Sequence, residues 1–197
     1  GQPGVRFALP YRGEKQLRWK ADARTIRVNG TVRVARLEGL DAGEAIALLK
    51  AHRKTLVGVT STMDPLLDHK VLQRLRRLRT RQLVVLLEKF QYAGRNLAML
   101  KQIGSRLHGV VLVTARITDS DLKPLSKVRR LRSVHLLESP VGNVGLGYLA
   151  RLPRLRYLHL GWARITDGGV ATLARLRRLR SLRLQADKVT DAGFARL

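Results

Sequence analysis

The histidines are the residues of this chain best suited to acid–base or metal chemistry, and their spacing argues against both. None of the five stands in an H-x-x-x-H or H-E-x-x-H pattern, which would place two metal ligands on one helix face. No G-x-x-x-x-G-K-[ST] or G-x-S-x-G motif occurs either. The glycine-rich stretch 141–147 lacks the lysine of a phosphate-binding loop and is interpreted as a modified turn. The sequence therefore predicts a protein that is not an enzyme and holds no cofactor.

The sequence contains one weaker candidate for a metal site. His135 and His159 are 24 residues apart, and Glu138 follows the first of them closely. In a structure that repeats every 24 residues, the two imidazoles would be neighbours. Arg183 would lie on the next level, and its positive charge would repel a cation. We therefore predict no metal site.

Aromatic and basic residues form the strongest candidate binding cluster. Tyr157, His159 and Trp162 fall within six positions, and arginines recur at 24-residue steps on both sides. Exposed aromatic rings beside arginines are typical of the hot spots of protein interfaces. The alternative is that Trp162 folds back over the strand edge as local packing. The predicted partner-binding residues are Arg132, His135, Arg156, Tyr157, His159, Trp162, Arg180 and Arg183.

The elements that must position this cluster repeat with a fixed period. Ile117, Val141, Ile165 and Val189 mark one position of the repeat, each 24 residues after the last. A ladder of the form L-x-x-L-x-L keeps the same step, as in residues 131–136. A constant period of this length with this ladder predicts a solenoid of stacked strands and helices. The x positions of the ladder then point outward from a concave face made by the strands.

The repeats resemble leucine-rich repeats. The pattern L-x-x-L-x-L-x-x-(small)-x-(I/V)-T-D-x-G-(L/V)-x-x-L is carried well by residues 155–173. It is similar to repeats of large bacterial proteins, as in planctomycetes and myxobacteria, and to the cysteine-containing repeats of F-box-type adaptors. The adaptor type would have cysteine at Ala115, Ser139, Ala163 and Asp187, so its absence favours the bacterial type. The resemblance implies an α/β fold, a curved leucine-rich-repeat solenoid with parallel strands on the concave face and short helices on the convex face.

Two segments are predicted. Residues 1–25 fit no repeat and are predicted to be an N-terminal arm or cap, since a terminal repeat needs a cover for its apolar edge. Residues 26–197 are predicted to be the leucine-rich-repeat domain, with about six to seven repeats, the last one incomplete. Continuation of the protein beyond Leu197 is favoured over a partner that covers the edge.

Asn29-Gly30 between two β-branched runs predicts a hairpin. Strands are predicted to begin near residues 32, 56, 83, 107, 131, 155 and 179.

The helix starts carry their own signals. Asp41 is a predicted N-cap of a helix within residues 37–51. In the regular repeats, the Asp or Asn of the Thr-Asp position, as in Asp167, is predicted to cap its own helix by accepting free N–H groups of the first turn. Gly169 and Gly193 follow two residues after such a position and are predicted to let the helix start pack closely on the strand layer.

The charge of the chain is strongly positive. Lys and Arg number 39 against 14 Asp and Glu, a net charge of +25. Such a field attracts nucleic acid, anionic membranes or acidic proteins. Two alternatives are an arginine-rich coding bias and arginines that lay their stems over leucines while their heads stay in water. A strip at the helix-to-strand turns is the alternative anion- or nucleic-acid-binding set: Lys127, Arg130, Arg151, Arg154, Arg175 and Arg178.

These features favour a non-enzymatic recognition or scaffold module that binds an acidic protein partner through its concave face. The alternative is a nucleic-acid-associated basic scaffold, such as a ribonucleoprotein component, that uses the arginine ladders. There is no cysteine, no apolar run near the roughly 20 residues of a membrane span, and no charged-then-apolar leader. A cytoplasmic location is therefore favoured, and no small-molecule substrate is expected.

Overall fold

The described residues form one nine-stranded sheet with helical segments on one side. The computed structural model describes residues 19–21, 25–28, 31–37, 40–61, 69–80, 82–88, 97–98, 100–113, 117–185 and 188–195. The strands lie side by side in chain order. They are β1 (Trp19–Ala21), β2 (Thr25–Val28), β3 (Thr31–Arg36), β4 (Gly58–Ser61), β5 (Leu83–Glu88), β6 (Leu107–Val113), β7 (Ser133–Leu137), β8 (Tyr157–Leu160) and β9 (Ser181–Leu184).

The strands from β3 to β9 are parallel, and their register follows the 24-residue repeat. Ser133 lies opposite Tyr157, which in turn lies opposite Ser181. Parallel neighbours require a crossover connection, which the helical segments provide. The predicted curved α/β leucine-rich-repeat solenoid is therefore confirmed. The α-helices are α1 (Ala42–Ala51), α2 (His69–Arg76), α3 (Asn143–Leu149), α4 (Asp167–Leu173) and α5 (Asp191–Phe194), and 3₁₀ helices cover Lys101–Arg106, Asp119–Leu122 and Leu125–Lys127.

The leucine ladder forms one continuous core between strands and helices. Leu131 and Val134 are 0% exposed and Leu136 is 1% exposed, as their spacing predicts. The same ladder positions of the neighbouring repeats join them in a single buried cluster. Truncating such a leucine to alanine costs about 2–5 kcal/mol, because the removed atoms leave a cavity. The core thus fixes the level of each strand and, with it, the residues of the open face.

Several strands begin two residues later than predicted. Strand β7 begins at Ser133 although Leu131 is buried, and β8 and β9 show the same offset. The reason is a tight turn, in which the backbone N–H of Leu131 donates to the carbonyl of Val128 at 2.9 Å instead of to a neighbouring strand. In these three repeats, the first leucine of the ladder therefore packs against the core while its backbone belongs to the turn.

The Asp and Asn side chains of the regular repeats do not cap their own helices, so that prediction is wrong. The backbone residue at the N-cap is Thr166 for α4 and Thr190 for α5. The carboxylate of Asp167 instead accepts hydrogen bonds from Thr190, 23 residues onward. Asp119 accepts in the same way from the backbone N–H of Gly142 at 2.6 Å. These bonds join consecutive repeats, so the Thr-Asp signature is an inter-repeat ladder.

The glycines two residues later also have a different role from the one predicted. A Cβ at Gly169 would lie closer than 3.0 Å to Oδ1 of Asn143, and a Cβ at Gly193 would collide with Oδ1 of Asp167. Each glycine therefore makes room for the ladder side chain of the preceding repeat. Asp41, by contrast, caps α1 as predicted, in a capping box with Glu44.

Two antiparallel strands precede the parallel part. Strands β1 and β2 pair with each other, and β2 pairs with β3 with Val28 opposite Thr31, which confirms the predicted hairpin. Its Asn29-Gly30 turn, and most of the predicted arm or cap, lie outside the described residues. The division of the chain at residue 25 stays a prediction. None of the helices in the described ranges has the length and apolar character needed to cross a membrane.

Candidate functional site

Tyr157 and His159 lie on the open face of the sheet. They are two residues apart on β8 and share one face, while Leu158 and Leu160 on the other face are 2% and 1% exposed. His159 lies opposite His135 on β7 and opposite Arg183 on β9. The structure thus brings four of the predicted partner-binding residues onto adjacent strands of the concave face.

The two histidine rings contact each other edge to face. The ring centroids of His135 and His159 are 5.8 Å apart, with an interplanar angle of 66°. Burial, with a smaller contribution from the neighbouring His159, lowers the pKa of His135 to about 4. Burial also lowers the pKa of His159, and the positive charge of Arg183 adds to the effect. Both imidazoles are therefore neutral at pH 7, and the positive charge of this surface comes from arginine.

The Nε2 atom of His159 has an unmet hydrogen bond. It is buried and has no partner among the described residues. A buried polar atom without a partner costs about 1–3 kcal/mol, so most such atoms in folded proteins are paired. This atom is the one polar group of the cluster that the fold itself leaves unsatisfied within the described residues.

Trp162 lies just past the end of β8 and is strongly exposed. Its side chain is 74% exposed, so it does not fold back over the strand edge as local packing. Its backbone has φ 59, in the left-handed region that favours glycine, and Glu138, one repeat earlier, has φ 54. A side chain in this conformation costs about 1–2 kcal/mol relative to the right-handed form. Two consecutive repeats therefore each hold one non-glycine residue in strained backbone, at the same rim of the concave face.

Arg132, Arg156 and Arg180 form a separate column immediately before the strands. The backbone N–H of Arg132 donates to the carbonyl of His108 at 2.7 Å, and Arg156 and Arg180 donate to the preceding arginine at 2.8 Å. Arg132 and Arg156 are half-buried and Arg180 is exposed. The backbones of these arginines are thus stacked at about the 4.8 Å spacing of parallel strands, and the column stays positive.

His108 occupies the first level of this column and was not among the predicted site residues. It is 7% exposed and is the extra residue where the β5–β6 register shifts. Its Nδ1 lies 2.8 Å from the carbonyl oxygen of Arg106. Burial lowers its pKa, the bond to that carbonyl opposes this, and the charges of Arg132, Arg130 and Arg154 lower the pKa again. His108 precedes Arg132 by one 24-residue step, and this spacing predicts that it lies at the end of the arginine column.

The second predicted set lies apart from the concave cluster, at the turns between a helix and the next strand. All six of its side chains are exposed. The guanidinium carbon of Arg151 lies 5.5 Å from the ring centroid of Tyr148, a cation–π contact. The strand residues of the first set therefore lie on a different surface from the second set, whereas the Arg132–Arg156–Arg180 column lies in the same turns as the second set and borders both surfaces.

A metal centre does not form from the candidate ligands. Within the described part of the chain, no group of three or more His, Cys, Asp or Glu side chains gathers closely enough to hold a metal ion. His135 and His159 are adjacent, but Glu138 does not complete a ligand set with them. The neighbouring Arg183 disfavours a cation here as well.

Comparisons with known proteins give little beyond the architecture. No protein-family model matches the chain. No curated protein matches it by sequence. Among solved structures, the chain is similar to an internalin from Listeria monocytogenes, with 18% sequence identity and a TM-score of 0.38. That match covers 76% of this chain, and the chain spans about half, 54%, of the internalin chain. The type of leucine-rich repeat stays a prediction.

Proposed function

We propose that this protein is a non-enzymatic recognition module whose concave face binds an acidic protein partner. The observation that carries the proposal is Trp162, which is 74% exposed in left-handed backbone at the rim of the face. An exposed tryptophan adds no packing to its own fold. Strained backbone of this kind is concentrated at functional sites, where the strain is offset by what the side chain does. A partner that covers the indole supplies that compensation.

The neighbours of Trp162 have the composition of an interface centre. Tyr157 is half-buried on the sheet, and Arg183 and the His135–His159 pair lie on adjacent strands. Tyrosine, tryptophan and arginine dominate the hot spots of protein interfaces, because they combine a large contact area with a few directed polar groups. The face therefore offers an aromatic anchor with cations beside it.

The acidic character of the proposed partner follows from charge. Strands β6 to β9 contain no Asp or Glu, while Arg183 stands on the face and the Arg132–Arg156–Arg180 column stands at its border. Complementary charge speeds association and selects against partners of the same sign. Carboxylates of the partner would pair with these guanidinium groups.

Peptide selection tests the proposal with defined probes. Peptides are selected from a random display library on the immobilised protein at physiological salt, and their dissociation constants are measured by fluorescence anisotropy. We expect Asp- or Glu-rich sequences with an apolar residue for Trp162. Trp162→Ser should weaken them at least about 30-fold, since a hot-spot side chain contributes about 2 kcal/mol or more.

The matched control is Val144→Ser. Val144 is 63% exposed on α3, so this change also removes an exposed apolar side chain, but on a helix rather than on the sheet. It should leave peptide affinity within about twofold, as expected for a surface change outside the contact. Selected peptides that lack acidic residues, or that bind Trp162→Ser as tightly as the parent, would overturn the proposal.

A further inference from the structure

Within the described ranges, acidic residues are confined to one edge of this solenoid, and the opposite edge carries only positive charges. This opposite edge consists of the turns that lead from a helix into the next strand, and it is called the basic edge here. Each of its six turns holds two to four Lys or Arg and no Asp or Glu. The turns are residues 50–56, 76–82, 101–107, 127–132, 151–156 and 175–180.

Hydrogen bonds between the turns show that they are stacked on one edge. The backbone N–H of Arg79 donates to the carbonyl of Arg53 at 3.1 Å. The side chain of Arg106 reaches the carbonyls of Arg76 and Thr80 at 2.9 and 2.8 Å. The Arg132–Arg156–Arg180 backbone bonds continue the stack. Six levels at about 4.8 Å give a row about 24 Å long.

The described acidic residues lie on the other edge, and most of them are already bonded. The described Asp and Glu residues stand at strand ends or helix starts. Asp41 bonds to the backbone of Glu44, Asp121 to Thr118, and Asp119 and Asp167 bond across repeats. The folded chain therefore uses its carboxylates for helix starts and the inter-repeat ladder and places none beside the basic edge within the described ranges.

The cations of the basic edge are free to meet a ligand. Their side chains are exposed and make no ion pair with another described residue. They are Lys50, Arg53, Lys54, Arg76, Arg77, Arg79, Lys127, Arg129, Arg130, Arg154, Arg175, Arg177 and Arg178. Stacked like charges repel each other, so an unliganded row of this kind lowers stability.

A coding bias toward arginine does not account for this arrangement. Such a bias would add arginine at solvent-facing positions on every side of the molecule, and it would not remove acidic residues from six consecutive helix-to-strand turns. The exclusion of acidic residues from these six turns is a property of the positions in the repeat, and it points to a ligand with a regular row of negative charges.

We infer that the basic edge binds the phosphate backbone of double-stranded nucleic acid without reading its sequence. Arginine outnumbers lysine on this edge, and its planar group pairs with phosphate through two parallel bonds. The large exposed hydrophobic residues Val144, Trp162 and Phe194 lie off these turns, so the edge lacks the apolar centre of a protein interface. It also lacks the recurring aromatic rings on which single strands stack.

The length of the row sets the expected salt dependence. If each level meets about one phosphate, about five or six contacts form, and log K falls with log salt with a slope near −5. Raising salt from about 50 to about 200 mM should then weaken binding about 10³-fold. Removing two of these contacts should reduce the slope by about 2.

The experiment measures anisotropy of fluorescein-labelled 24-base-pair duplexes of DNA and of RNA across a salt series. Two double variants of equal charge change are compared with the parent chain. Arg154→Gln/Arg178→Gln alters the basic edge, and Arg164→Gln/Lys188→Gln alters exposed positions on the edge that carries the acids. The first should weaken duplex binding at least about 10-fold and lower the slope by about 2, whereas the second should change affinity less than about threefold.

Three results would overturn the inference. Equal effects of both double variants would show that only net charge matters. Tighter binding of phosphatidylserine vesicles than of either duplex would assign the edge to anionic membranes. Tighter binding of a 24-residue polyglutamate peptide would assign it to acidic protein. Trp162→Ser, which tests the concave face, should leave duplex binding unchanged, so the two proposals fail independently.

Discussion

The carboxylate of Asp167 holds Thr190 of the following repeat by two hydrogen bonds. It accepts from the backbone N–H of Thr190 at 2.8 Å and from its hydroxyl at 2.7 Å. Thr190 in turn caps α5 by accepting from the N–H of Gly193 at 3.3 Å. One repeat earlier, Asn143 accepts from the backbone N–H of Thr166 at 3.1 Å and donates from its amide nitrogen to the Thr166 hydroxyl at 2.8 Å. One side chain per repeat thus connects neighbouring helix starts.

Replacing Asp167 tests the strength of this connection. Asp167→Ala should lower the free energy of unfolding by about 1–3 kcal/mol, because it leaves the backbone N–H of Thr190 without its charged acceptor. Asp167→Asn should cost less than about 1 kcal/mol, since Asn143 already makes both bonds in its own repeat. Urea unfolding followed by circular dichroism gives both values. Equal losses in the two variants would show that the ladder does not depend on an acceptor at this position.

Adjacent glycines at the start of α4 should respond in opposite directions. A Cβ at Gly169 would collide with the Asn143 side chain, so Gly169→Ala should destabilise by about 1–3 kcal/mol through overpacking. At Gly168 the nearest atoms to a Cβ are 3.9 and 4.0 Å away. Gly168→Ala should therefore stabilise by about 0.5–1 kcal/mol, because alanine loses less entropy in a helix. Thermal melts of the two variants give their midpoint temperatures. A higher midpoint for Gly169→Ala than for the parent chain would refute the close approach of Gly169 to Asn143.

The left-handed backbone at Trp162 predicts an order of stabilities. Trp162→Gly should keep or raise the free energy of unfolding, by up to about 1 kcal/mol, since glycine adopts φ 59 without strain. Trp162→Val should lower it by about 1 kcal/mol or more, because a β-branched side chain is least suited to this region. Glu138→Gly and Glu138→Val form the matched pair one repeat earlier. If guanidinium unfolding gives the valine variants a higher free energy of unfolding than the glycine variants at both positions, the backbone there is not strained.

His135 should make stability depend on pH. Its pKa is lowered to about 4 in the fold by burial, with a contribution from His159, against 6.5 for an unperturbed histidine. Between these values the unfolded chain binds a proton that the folded chain does not. The contribution of His135 is fully present above about pH 6.5 and is lost as pH falls toward about 4.

The measurement is urea unfolding between about pH 5 and 7. His135→Gln should flatten the rise of stability with pH in that window by up to about 1.4 kcal/mol per pH unit. His52→Gln is the control, because His52 lies at the end of α1, away from the pair. An unchanged slope in His135→Gln would mean that the ring protonates equally well in the folded chain.

The 24-residue step was enough to predict the solenoid, its core ladder and the residues of its open face. The level of each strand follows from the step alone, since stacked repeats must bury Leu131, Val134 and Leu136 in the core, although Ser133 between them is buried as well. That is why Tyr157, His159 and Arg183 could be assigned to one surface before the structure was known.

Tertiary structure decided what a single repeat cannot contain. The partner of Asp167 lies 23 residues onward, so local spacing wrongly suggested a cap for its own helix. The φ of Trp162 depends on how the turn after β8 meets its neighbours, and the pKa of His135 depends on burial beneath an adjacent strand. Likewise, the confinement of acidic residues to one edge emerges only when the repeats are stacked. The sequence by itself specifies the period, and stacking specifies which charges become neighbours.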